Sequence, residues 1–425
     1  RSYNGTSWSN PSNSYDNTYT YDANGNILTL NRKGNAQNMD DLSYNYTATT
    51  NRLDYVDDAV SSIYSTDIDD QSANNYRYDA IGQLTKDVTQ GIDTIGWTVY
   101  NRVSYIKKSN GDSISFLYNP NQQRVQKIVK PNGQPATVTY YSTDAQGVPL
   151  SIYERTESGS NYVYKQKELP LYADARLGEY KPDLTIKTVN ISGCMSCGGP
   201  CGCTTCAINQ WTINTAVQNG YYARPIGKKQ YELTDQLGNV RAVVSDRKDA
   251  NNKTDKLAYM NYYAFGSEMP GKVYSTNTYR YGFNGKEKED ELHGNSGDSY
   301  DFGARIYDAR LGRWYACDLL EPKYPGISPY VFAQNNPIYY YDKDGNDVED
   351  GPTVVNSSSQ PITLTGDGCL LNKNGEETNL VRGAVVLNPG DRFVSTTTAN
   401  SDGTTTLGGT IYRADGTTET TAIHD

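Results

Sequence analysis

The sequence predicts an all-β protein: a spiralling antiparallel sheet over residues 15 to 345, with helix content under about a tenth. Three observations carry that prediction. Tyrosine dominates the aromatic residues, with 38 Tyr against 6 Phe and 4 Trp. A short unit recurs, in which Tyr precedes Asp or Asn, two or three turn residues and then an aliphatic residue. No segment keeps a 3.6-residue period with caps at both ends.

Tyr suits a pleated, half-wet surface, because its ring packs while its hydroxyl reaches water or a backbone partner. The bulk numbers agree: 36% hydrophobic residues and a mean hydropathy of -0.73 are too apolar for a disordered chain and poor for a single large aliphatic core.

The repeat is cleanest at Tyr21-Asp22-Ala23-Asn24-Gly25-Asn26-Ile27 and Tyr78-Asp79-Ala80-Ile81-Gly82-Gln83-Leu84. Degenerate copies are Tyr100-Asn101-Arg102-Val103 and Tyr118-Asn119-Pro120-Asn121-Gln122-Gln123-Arg124-Val125, with Tyr44-Asn45 and Tyr141 to Gly147 as further candidates. Asp or Asn followed by Gly supplies positive φ and side-chain-to-backbone bonds, so each unit predicts a hairpin turn. Flanking runs such as Thr18-Tyr19-Thr20-Tyr21 and Ile114 to Tyr118 have strand composition. An ordinary β-sandwich with Tyr-rich strands shares these signals and is the plainer alternative.

Net charge is -10 and the pI near 4.9, which disfavours a nucleic-acid partner. No stretch approaches the 18 apolar residues of a membrane span. Arg1 is no initiator and no signal peptide precedes it, so the sequence reads as a piece of something longer. Acidic, Asn/Ser/Thr/Gly-rich composition with clustered cysteines points to an extracellular or cell-surface address.

Three regions follow. Residues 1–230 carry the repeats and a Cys-rich loop at 194–206; residues 231–345 are denser in motifs; residues 346–425 lose the tyrosines and become Thr/Gly/Asn-rich. The repeats resemble the YD repeats of the bacterial Rhs (rearrangement hot spot) family. The stretch from Tyr231 to Gly345 resembles that family's repeat-associated core. The matching text runs through Leu233-Thr234-Asp235-Gln236-Leu237-Gly238, Tyr262-Tyr263-Ala264-Phe265-Gly266, Tyr281-Gly282-Phe283-Asn284-Gly285-Lys286-Glu287, Tyr300 to Trp314, and Ser328 to Ile338. The resemblance covers roughly residues 15 to 345, with a poorly matched stretch around 150 to 230. It implies a cocoon-like shell sealed by the core; beyond it, turn signals at Thr363-Leu364-Thr365-Gly366-Asp367-Gly368 and Asn388-Pro389-Gly390-Asp391 predict a small β-rich C-terminal region. The resemblance also implies encapsulation of a C-terminal polypeptide and, in several relatives, aspartyl self-cleavage that releases it.

Asp318 and Asp342 match the family's autoprotease pair. That chemistry needs two carboxylates sharing a proton, one ionised to activate water. Here Leu319 and Lys343 stand where prolines usually follow, and Cys317 stands where some relatives carry Arg. Self-cleavage after Asp342 is therefore not expected, and both residues also suit turns that bond backbone amides. Arg305, Arg310 and Arg313 alternate with aromatics and with Asp301 and Asp308. On an enclosed face they need carboxylate or carbonyl partners, so they are expected as structural clamps; on an exposed face they would contribute little. With Arg305, Tyr307 would line one face, and Ile306 and Asp308 the other.

Cys194, Cys197, Cys201, Cys203 and Cys206 have spacings compatible with a zinc site, but the odd fifth cysteine argues against a tidy one. Disulfides, with Cys317 or Cys369 as further partners, are the favoured state, and whether any metal binds stays open. Only His293 and His424 are present, which removes most triad and metallohydrolase schemes, and no phosphate-binding Gly-rich loop occurs. Nothing calls for a cofactor.

The leading expectation is a structural shell module of an exported bacterial surface or secreted assembly. Its core wording resembles versions found with type IX export, which suggests adhesion or surface motility. Its partners would be other parts of a larger chain or of that assembly. The rivals are an autocleaving polymorphic-toxin precursor that encapsulates its C-terminal segment, and a carbohydrate- or protein-binding surface module using exposed Tyr.

Overall fold

The computed structural model describes residues 14–346 except 36, 62, 65, 174, 191–210, 214–224 and 277–278. Outside that span it describes Ser2–Tyr3, Trp8–Ser9 and short stretches, mostly strands, between 348 and 423. The chain divides into two compact units: 1–335 with 344–347, and 336–343 with 348–425.

The repeat builds its turns by one local device. In the first copy the Asp22 carboxylate accepts from the amides of Asn24 and Asn26 at 2.9 and 2.8 Å, and Gly25 donates to the Asp22 carbonyl. Asp79 repeats this with Ile81 and Gln83, and Asp144 with Gln146 and Val148. Asp235 does so with Leu237 and Asn239, and Asp249 with Asn251 and Lys253. The residue three after the Asp has positive φ, and glycine meets that at no steric cost: +77° at Gly25 and +89° at Gly82. Adjacent turns are bonded to one another, as in Arg52 to the Ala80 carbonyl and Gln83 to Asn101. Tyr44-Asn45 is no turn; it lies inside the strand Gln37–Tyr46, whose turn comes at Thr47 to Arg52.

Most of the described chain is β, and the sheets are antiparallel. In the first unit, Asn17–Tyr21, Ile27–Gly34, Gln37–Tyr46 and Leu53–Asp58 form a four-stranded meander. A 16-stranded sheet then runs from Tyr76–Tyr78 to Tyr274–Ser275. It forks at the 12-residue strand Asn161–Tyr172. The first half of that strand pairs with Leu184–Asn190, while Leu169 to Tyr172 pair with Arg176–Tyr180, which leads on to Lys229–Thr234. Leu184–Asn190 pairs in turn with Trp211–Ile213, which makes these two strands a side branch of the ladder. This branch falls where the resemblance to the repeat family is poorest.

Among the described residues the one α-helix is Asp290–His293. It belongs to the densely folded stretch from Tyr279 to Asn335, whose strands Glu287–Lys288, Ser299–Asp301, Ile306–Asp308 and Arg313–Trp314 make a further four-stranded sheet. Leu292, Ile306, Leu311 and Tyr315 complete an aliphatic cluster with Ile27, Leu42, Val56, Ile92, Ile106 and Phe116 from the large strands. Behind it Phe283, Phe302, Tyr307, Trp314 and Phe332 pack ring to ring, with Tyr307 and Phe332 centroids 4.3 Å apart. Fully burying an aromatic ring of this kind contributes about 2–3 kcal/mol. Ile306 and Tyr307 therefore face two different cores, which is why this segment lacks a polar side.

In the second unit, Tyr341–Asp342 pairs with Val348–Glu349, and Arg392–Ala399, Thr405–Tyr412 and Thr418–Ile423 form consecutive antiparallel strands with Val354–Val355 at one edge.

Candidate functional site

The sequence-singled arginines lie on the hairpins from Ser299 to Trp314. Asp308 bonds the amides of Arg310 and Leu311, and Gly312 takes φ +70°, so Tyr307 to Gly312 is a buried variant of the repeat turn, one residue longer. Its Arg310 folds back onto Asp308 with two contacts at 3.1 and 2.7 Å and lies 3.6 Å from Asp87. Arg305 stacks on Trp314, pairs with Asp318 at 2.9 Å, and donates from Nε to the Gly345 carbonyl at 2.6 Å. Arg313 is buried against Tyr46 and Tyr330 and donates to the Tyr46 hydroxyl, the Asn26 side chain and the Asn51 carbonyl. It has carbonyl, amide and hydroxyl partners where Arg305 and Arg310 have carboxylates.

Asp318 belongs to the first unit and Asp342 to the second. Besides Arg305, Asp318 accepts from the Leu320 amide at 2.7 Å, a local turn bond. Asp342 is buried on the strand Tyr341–Asp342. Cys317 is a half-buried free thiol whose Sγ lies 3.8 Å from the Gly82 carbonyl. Cys194, Cys197, Cys201, Cys203, Cys206 and Cys369 lie outside the described residues.

Histidine 293 enters a row that the sequence does not announce. Its Nδ1 is 3.0 Å from Ser299 Oγ, and its Nε2 is 3.9 Å from the Asp308 carboxylate. This has the order of a nucleophile–base–acid row, but the protons run the wrong way. Arg310 Nη2 has only hydrogens to offer and sits 2.9 Å from Nε2, so Nε2 holds the lone pair and Nδ1 the proton. Nδ1 therefore donates to Ser299 and leaves its hydroxyl unactivated. Burial first, then the Arg310 charge, hold the imidazole pKa well below its usual value. The row is a buried polar lock.

Sequence reasoning also missed the charged run Lys286 to Glu291, a pattern normally read as a solvated face. Here it docks on the large sheet. Arg124 bonds Glu289 and reaches Asp301 at 2.7 Å; Lys127 meets Glu289 and Glu291 at 3.2 and 2.8 Å. Arg280 bridges Glu168 and Glu287 at 2.7 and 2.8 Å, and the Tyr141 hydroxyl donates to Glu287. Arg176 lies 3.5 Å from the Tyr281 ring centre and pairs with Glu232, which also accepts from Tyr279. Charge alternation beside Tyr279-Arg280-Tyr281 was the available signal.

Next to this seam is a polar cavity of about 980 Å³ lined by Lys167, Lys181, Asp183, Arg247, Asp255 and Lys288 among others. Several of its charges are paired within the wall: Lys167 with Asp183 at 2.7 Å, Arg247 with Asp255 at 3.0 Å, Lys288 with Glu268 at 3.0 Å. Such a wall offers contacts of both signs without a cluster of one sign. Among the described residues no group of His, Cys, Asp and Glu could hold a metal ion, and no helix is long and apolar enough to cross a membrane.

No family model and no curated protein matches the chain. Solved structures do share its fold. TcdB2–TccC3 solved with Cdc42 is 16% identical at a TM-score of 0.51, covering 78% of this chain and 13% of that one. The Tc holotoxin pore of Photorhabdus luminescens is 17% identical at 0.51, covering 80% of this chain and 13% of that one. The likeness is one of fold, and the chain spans only about an eighth of those proteins.

Proposed function

We propose that this chain is a wall segment of an Rhs-type container: a strip of Tyr-turn sheet within a larger, toxin-like protein, enclosing a polypeptide. The observation that carries this is the fold overlap with TcdB2–TccC3, which takes in 78% of this chain yet only 13% of that one. A strip whose fold recurs inside a much larger body fits a wall part better than a free-standing catalyst. The cavity supports the same reading. Its mixed and partly paired charges suit passing contact with a polypeptide of varied sequence better than retention of one charged ligand. The Nδ1-protonated His293 and the Asp318–Arg305 pair support a wall without chemistry of its own. On the family resemblance, residues 346–425 are part of the enclosed segment.

Limited proteolysis of the intact native protein tests this. Enclosure predicts that the chain after residue 346 resists proteinase K until denaturant unfolds the large sheet. Rapid cutting throughout that region while the sheet stays intact would overturn the container.

A further inference from the structure

The seam between Tyr279–Glu291 and the large sheet contains a buried carboxylate with no hydrogen-bond donor and a single lysine beside it. Glu179 on the strand Arg176–Tyr180 is fully buried, and neither of its carboxylate oxygens accepts a hydrogen bond. Lys181, two residues along the same strand, holds its Nζ 2.9 Å from Oε1 but out of line for a hydrogen bond. Glu168, on the neighbouring strand, is a second buried carboxylate. The other nearby cations are engaged. Arg280 grips Glu168 at 2.7 and 3.1 Å and Glu287 at 2.8 Å; Arg176 is taken by Glu232, onto which Tyr279 also donates. A second buried negative charge there has only Lys181 to offset it, with no hydrogen bond to its oxygens.

We infer that Glu179 is carried protonated in the docked seam, so that acid tightens the docking of Tyr279–Glu291 on the sheet and neutrality loosens it. Burial first, then Glu168, push the Glu179 carboxyl up from 4.5 to about 7 against the pull of Lys181. Because the folded value is raised, its contribution is complete near the ordinary glutamate value, falls as pH rises to about 7, and is level above that. Two partners limit the effect from the other side. Burial pushes Glu287 up, but Arg280, Lys127 and Arg124 outweigh it and hold it down at about 2. Glu168 is likewise lowered, Arg280 outweighing burial. Their contributions are lost only as pH falls below the ordinary glutamate value, so the seam is tightest in mild acid.

The device does not depend on the container reading; it concerns one segment on one sheet. Hydrogen–deuterium exchange of the native protein, corrected for intrinsic exchange at each pH, reads it directly. In the wild type the opening constant of amides in 279–291 should rise by up to about tenfold per pH unit between about pH 5 and 7, then level off. Glu179→Gln should flatten that rise. Lys181→Met removes the cation that favours ionised Glu179, so the levelling should move above pH 7. Amides of Ile27–Gly34 should not follow. A wild-type seam with no pH dependence, or an unchanged rise in Glu179→Gln, would overturn the inference. Should that variant fail to fold, the wild-type curve and the direction of the Lys181→Met shift decide it.

Discussion

Arg305 and Asp318 form a 2.9 Å ion pair in which the arginine also holds the Gly345 carbonyl, so one buried guanidinium ties the Tyr300–Trp314 hairpins to two later stretches of chain. Removing it takes a charged partner from the Asp318 carboxylate and a donor from the Gly345 carbonyl at once. Arg305→Ala should therefore cost on the order of 3–5 kcal/mol and lower the melting temperature by several degrees. Arg313→Ala, which frees only neutral acceptors, should cost less, about 1–3 kcal/mol. Melting curves that do not move in either variant would mean these arginines contribute nothing to holding the segment.

The same pair bears on self-cleavage. A carboxylate committed to a guanidinium and to the Leu320 amide is poorly placed to share a proton with a second acid. The bonds between Asp342 and Asp347 should stay intact in purified protein. A denaturing gel with a fragment cut in that interval, abolished by Asp318→Asn or Asp342→Asn, would be the contrary result.

A second acid titrates in the useful range. Burial, chiefly, raises the Asp298 carboxyl from 3.8 to about 6, against the pull of Arg310. Its folded value is raised, so ionising it costs stability as pH climbs from about 4 to 6, and the loss persists at neutrality. Asp298→Asn should stabilise the protein at pH 7 by on the order of 1–3 kcal/mol and by little at pH 4. Denaturant midpoints at the two pH values distinguish this from a uniform gain.

Turn glycines should not be equivalent. A Cβ at Gly82 would meet Cys317 Sγ at 2.5 Å and the Tyr330 hydroxyl at 2.6 Å, on a φ of +89°. At Gly133, with φ +68°, it would meet nothing within 4 Å. Gly133→Ala should cost about 1 kcal/mol from backbone strain alone, and Gly82→Ala at least about 2–3 kcal/mol because the clash adds to it. Equal losses from the two would show that the neighbours of Gly82 yield freely.

How much of this was legible depended on the range of the interactions. The turns at Asp22 and Asp79 are written locally, in a carboxylate that reaches its own next amides, and the sequence shows them. Asp308 uses the same chemistry at a spacing one longer, so it reads as part of a motif and not as a turn. The fork at Asn161–Tyr172 is invisible in sequence, because two alternative partners for one strand are a matter of long-range register. The charges of 286–291 look solvated until Arg124 and Lys127 are brought to them from one strand far away in the chain, with Arg280 close by in sequence completing the pairs. Histidine 293 carried no local signal at all: its role is set by Arg310 and Ser299.

The fork has a practical corollary for protein engineering. The through-going ladder passes from Leu169–Tyr172 to Arg176–Tyr180 and on to Lys229–Thr234 without using Leu184–Asn190 or Trp211–Ile213. Those two strands are paired to each other and to one half of a single neighbour, so new sequence spliced between Asn190 and Trp211 shifts no register in the main path. The site is thus a ready graft point: an epitope, a fluorescent reporter or a binding loop could be installed there while the Tyr-turn wall keeps its order.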